Sequence, residues 1–99
     1  MMRRRTIRYS AVAIEDLRRI AALLSRASSV DVSRRFVVRI RQRIRTLEYG
    51  AERGTIRNAQ RGIRMIGILP TVSVAFLVTE DAVAINRILY NGENWTSDD

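Results

Sequence analysis

IRMIGILPTVSVAFLVTEDAVAINRILY, residues Ile63 to Tyr90, is the stretch that decides how this chain folds. Three runs rich in Val, Ile and Phe, namely Ile63–Leu69, Val72–Val78 and Val83–Tyr90, are separated by Pro70-Thr71 and by Thr79-Glu80-Asp81. Short turn-forming links send each run back along its neighbour, so the stretch predicts a three-stranded antiparallel meander. Arg87 is the one cation in the last run. In regular alternation it shares a face with Val83, Ile85 and Leu89, while Tyr90 goes with Asn86 and Ile88; the two then point to opposite faces unless the strand bulges.

Upstream of Gly54 the pattern is helical. Ala13, Leu17, Ile20 and Leu24, joined by Ile14 and Ala21, recur at steps of three and four, which predicts a one-sided helix ending near Ala27. Ser10 stands at its N-cap position, with Glu15 and Asp16 close behind. The turn SSVDVS offers Asp31 and Ser33 as caps for a second helix, in which Phe36, Val37, Ile40, Ile44 and Leu47 fall within an arc of roughly 100°. Arg34, Arg41 and Arg45 line one flank of that arc and Arg35, Arg39 and Arg43 the other. Like charges at this spacing cost a helix a few tenths of a kcal/mol each, so something outside the helix is expected to compensate them. Gly50 is placed to end this helix. With Thr6–Tyr9 as a short first strand, the order is strand, two helices, three strands. The expected fold is α+β in two layers, an antiparallel helical hairpin on one face of a sheet. The first strand must join either an edge or a strand far along the chain.

A chain of 99 residues is one domain, spanning 1–99, with a thin core. All 18 basic residues are Arg, and the net charge of +8 calls for an acidic partner, protein or nucleic acid. Cys and His are absent. That removes disulfides, Cys/His zinc sites, thiolate nucleophiles and imidazole bases, so no metal and no cofactor is expected. The basic start is not followed by an apolar signal core, and no run is long enough to cross a membrane, which points to a cytoplasmic protein.

The segments IRYSAVAIEDLRRI, LEYGAERG, Gly62-Ile63-Arg64, VSVAFLV and INRILYNG, taken in this order from about Ile7 to Gly92, resemble the RelE/ParE superfamily of bacterial toxins, the ParE branch most closely. The resemblance implies a toxin neutralised by a ParD-like antitoxin in a hetero-oligomeric complex, with DNA gyrase as target and no catalysis. On that reading the target-binding residues are Arg57, Arg61, Arg64, Arg87, Tyr90 and Trp95, with Arg64 carried by its match to the family. The antitoxin-binding residues are Leu17, Arg34, Phe36, Arg41 and Arg45.

The alternative within the superfamily is a ribosome-dependent messenger-RNA endoribonuclease using Arg64, Arg87 and Tyr90. Against it, Val72-Ser73 stands where that branch has an aromatic-Arg pair, and NGENW carries no basic cluster. Tyr90 stands where related toxins often have His; tyrosine hydroxyls ordinarily titrate near about 10 and make poor general bases without neighbouring cations. A small Arg-rich nucleic-acid-binding module is a further alternative, but the aromatics are too scattered for a stacking platform.

Overall fold

A computed structural model describes residues 4–58 and 61–93, with the backbone alone for residues 57 and 58. Trp95 lies outside the described residues, as does the side chain of Arg57. The elements are β1 (Thr6–Tyr9), α1 (Ala11–Ala27), α2 (Val30–Arg45), a 3-10 turn (Thr46–Glu48), β2 (Thr55–Asn58), β3 (Ile63–Leu69), β4 (Val72–Val78) and β5 (Ala82–Tyr90). The strands form one sheet in the order β1-β5-β4-β3-β2. The expected meander is β3, β4 and β5, antiparallel throughout. The first strand is at an edge and also far along the chain, because β1 runs parallel to β5. Strand β2, antiparallel to β3, was not expected.

The helical hairpin covers one face of the sheet. Ala13, Leu17 and Ile20 of α1 and Ile40 and Ile44 of α2 meet Val72, Val74, Phe76, Val83, Ile85 and Ile88 from β4 and β5. Fully burying one such Leu, Ile or Phe is worth about 1.5–3 kcal/mol, and this layer is where the chain gains most of its stability. The stripe in α1 is narrower than expected, since Ile14 is 38% exposed.

The helix ends show which polar residues the backbone recruits. Ser10 Oγ accepts from Ala13 N at 3.0 Å, as the sequence suggested. At α2 the cap is Ser29, whose Oγ accepts from Val32 N at 3.1 Å. Asp31 instead pairs with Arg35 at 2.8 Å. Ser33 is buried and donates to Ala21 O at 2.7 Å, tying α2 to α1. α2 stops at Arg45, before Gly50, because its last turn tightens into the 3-10 turn; Gly50 serves the following link with φ 66°.

One irregularity repositions the end of the sheet. Ala75 faces Arg87, but Phe76 faces Ile85, so Asn86 is an extra residue in β5. Such a bulge resets the alternation. Ile88 and Tyr90 therefore join Val83 and Ile85 on the helix side. The grouping of Arg87 with Val83 and Ile85 is corrected by this bulge, while Arg87 and Tyr90 still alternate to opposite faces.

Candidate functional site

β1 ends at Tyr9 opposite Ile85, so β5 runs on past it with one edge uncovered. An uncovered ladder leaves donors and acceptors that need partners. Ser10, Asp16 of α1 and Glu93 supply them. Ser10 N donates to Ile85 O at 3.0 Å and Ser10 Oγ donates to Asn86 O at 3.0 Å. Ile88 N donates to Asp16 Oδ2 at 2.8 Å, and Tyr90 N to Glu93 Oε1 at 2.8 Å.

Asp16 is the centre of this arrangement. It is 4% exposed and also accepts from Arg87 Nε at 2.9 Å, Arg87 Nη2 at 3.2 Å and Arg19 Nη2 at 2.9 Å. Arg19 in turn pairs with Glu93. Burial pushes the Asp16 carboxyl upward, but the donors from Arg87, Ile88 and Arg19 outweigh it and hold the group below the ordinary aspartate value. Arg87, the cation inside the apolar run, thus places its guanidinium on a buried carboxylate. The sequence held a signal for this pairing: Asp16 falls inside the apolar arc of α1 between Ala13 and Ile20, a position that demands a partner.

Of the expected target-binding residues, the four that are described, Arg61, Arg64, Arg87 and Tyr90, are not gathered into one patch. Arg64 pairs across β4 with Phe76 and so belongs to the helix-side row, whereas Arg87 pairs with Ala75 in the other. Arg64 is half-buried and has no ion-pair partner among the described residues. Arg61 is exposed in the turn before β3. Tyr90 is half-buried, with its ring edge-on to Phe36 at 5.8 Å between centroids. Its row meets β4 at Val72 and that of Arg64 meets it at Phe76, a separation of about 13 Å at strand rise. Beside Tyr90, a groove of about 380 Å³ is lined by Leu23, Leu24, Ala27, Asn91 and Glu93.

Of the expected antitoxin-binding residues, Leu17 is 6% exposed and belongs to the core, which removes it from any contact surface. Phe36 is half-buried against Tyr90. Arg34, Arg41 and Arg45 are exposed along α2. The Arg41 guanidinium lies 4.9 Å from the centroid of the Tyr9 ring, a cation–π contact. Burial raises the Tyr9 hydroxyl pKa, while Arg41 and Arg45 pull it down; the net direction is upward. Arg4, Arg41 and Arg45 line a cleft of about 270 Å³ with Thr6, Ile7, Tyr9 and Glu48. Among the described residues there is no cluster of potential metal ligands and no helix long and apolar enough to cross a membrane.

No family model and no curated protein matches this chain. Among solved structures it is similar to one described as the chromosomal ParDE TA system from P. aeruginosa, with a TM-score of 0.77 and 18% identity over 87% of this chain and 95% of the other. A crystal structure of YafQ from E. coli strain BL21(DE3) aligns with a TM-score of 0.48 and 17% identity over 87% and 92%. The E. coli DinJ-YafQ toxin-antitoxin complex gives 0.47 and 14% over 88% and 92%. The first of these shows that the chain shares its α+β fold with a chain of that ParDE system, the fold the sequence resemblance implied.

Proposed function

We propose that this protein is the toxin of a type II toxin–antitoxin pair, acting by binding DNA gyrase without catalysis and neutralised by a ParD-like antitoxin. The observation that carries the toxin reading is the likeness, over 87% of this chain, to a chain of a ParDE system. The arginine surface of α2 suits an antitoxin with acidic side chains. What favours binding over cleavage is the disposition of the residues a ribonuclease would need. Arg87 is engaged by Asp16, Tyr90 packs on Phe36, and Arg64 lies about 13 Å along the sheet from the row of Tyr90. An acid–base mechanism requires its proton donor, acceptor and charge stabiliser within hydrogen-bond reach of one reacting centre.

Induced expression with DNA and protein synthesis followed separately tests this. Filamentation, a DNA-damage response and loss of replication before translation falls are expected, together with inhibition of purified gyrase supercoiling. Immediate arrest of translation with cut messenger RNA would replace this reading with the ribonuclease.

A further inference from the structure

β1 is an edge strand whose outward side is open along the arginine cleft. Its pairing with β5 fixes which backbone groups face out. Thr6 N donates to Asp81 O at 2.9 Å and Ser10 N to Ile85 O at 3.0 Å, so the even-numbered residues turn their backbone groups toward β5. The odd-numbered ones turn theirs away. Arg5 N confirms the parity, donating outward to Glu48 O in the 3-10 turn at 2.7 Å. That turn covers only the start of the strand. Beyond it, the N–H and C=O of Ile7 and the N–H of Tyr9 have no hydrogen-bond partner among the described residues, and both residues line the cleft.

An edge of this kind normally carries a device against association, most often a charge or a proline on the strand itself. Here the strand itself carries one charge, the exposed Arg8, and the others stand beside the edge, all but one of the same sign. Arg4, Arg41 and Arg45 line the cleft, and its single acid, Glu48, is already 2.8 Å from Arg4 and 3.9 Å from Arg45. The cleft therefore keeps an excess of positive charge next to free strand hydrogen-bonding groups. The cation–π contact fixes Arg41 over Tyr9, so part of that charge is already oriented.

We infer that β1 accepts a sixth strand, an extended acidic segment of a partner protein whose backbone pairs with Ile7 and Tyr9 while its carboxylates meet Arg41 and Arg45. Strand addition draws affinity from main-chain hydrogen bonds and selectivity from side chains; here the selectivity is for negative charge. The inference rests on the toxin reading only for the cellular source of that segment.

The test uses the purified chain and an acetylated heptapeptide alternating Glu and Val, with a Lys–Val counterpart and a version N-methylated on alternate amides. The Glu–Val peptide should bind in titration calorimetry and slow exchange of the Ile7 and Tyr9 amides about tenfold or more. The double variant Arg41→Glu/Arg45→Glu, both positions exposed, should weaken binding about tenfold or more. Ile7→Pro removes the outward-facing N–H, together with a side chain packed on the core, and should weaken binding likewise while leaving the β1–β5 ladder hydrogen bonds in place. If that variant does not fold by circular dichroism, the N-methylated peptide decides the point, since it keeps the charge and loses the ladder.

Equal affinity for the Lys–Val peptide, unchanged Ile7 and Tyr9 amides at saturation, or full binding by the N-methylated peptide would each overturn the inference. So would absence of binding by the Glu–Val peptide at millimolar concentration. These readouts are independent of the expression phenotype, so the toxin reading and the strand-addition inference can fail separately.

Discussion

Asp16→Asn probes the polar network that closes the end of the sheet. The substitution keeps size and shape but removes the charge on which Arg87, Arg19 and the Ile88 amide converge. Breaking a fully buried ion pair from one side costs about 3–5 kcal/mol. Here the arginine side chains are 27% and 37% exposed and can turn partly to water, so about 2–4 kcal/mol is expected. For a domain of this size that lowers the melting temperature by about 10–25 °C. Because the Asp16 carboxyl is held below its unfolded value, its contribution is present above the unfolded aspartate pKa and lost as pH falls through the folded one. The gap between wild type and Asp16→Asn, measured by urea denaturation, should therefore be widest near neutral pH and shrink in acid. A cycle with Arg87→Gln should give a coupling of about 1–3 kcal/mol. A gap below about 0.5 kcal/mol at pH 7, or one that widens on acidification, would refute the structural role assigned to this network.

Three further outcomes are expected. Tyr90→Phe should remain toxic and lose no more than about 1 kcal/mol of stability, since the hydroxyl has no hydrogen bond among the described residues and the ring keeps its contact with Phe36; a fall of about a hundredfold or more in a cleavage assay would instead identify a proton-transferring group. Arg64→Ala should fold normally by circular dichroism yet lose toxicity and gyrase inhibition, and full toxicity in the folded variant would remove Arg64 from the target surface. Gly54→Ala should destabilise the chain by about 1–3 kcal/mol in urea denaturation, because Gly54 sits at φ +82° and an added Cβ would lie 2.4 Å from the Met65 carbonyl oxygen.

The parts of this fold that were legible in the sequence are those set by periodicity. The stripes of α1 and α2 and the three meander strands follow from where apolar residues recur, and the structure keeps them. β2 was not legible because its residues Thr55–Asn58 form a short strand beside polar loops, held in place by β3 rather than by any pattern of their own. The bulge at Asn86 was invisible for a related reason: alternation is a rule for two strands in step, and the sequence of β5 alone does not show where β4 falls out of step with it. Cap choice at α2 turned on a difference of a few residues. Ser29, Asp31 and Ser33 can all cap a helix, and burial of Ser33 against α1 decided which one does.

The candidate site shows a deeper limit, one that charge counting cannot pass. The sequence records +8, but only the fold shows which arginines are already neutralised. Glu15, Asp16, Asp31, Glu48, Glu52 and Glu93 all take partners within the chain. Those pairs serve α1, the β5 edge, the two ends of α2 and the N-terminal strand. Arg34, Arg39, Arg41 and Arg43, through the middle of α2, have no acidic partner within pairing distance among the described residues. Positive charge therefore accumulates along the middle of this helix, where its cost is self-repulsion. An acidic chain laid along α2 would gain its own contacts and also remove that repulsion. Binding and helix stability are then two readings of one free energy, since a partner that binds only the folded form stabilises it. A surface of this kind is poorly satisfied alone, and a bound acidic chain would relieve it.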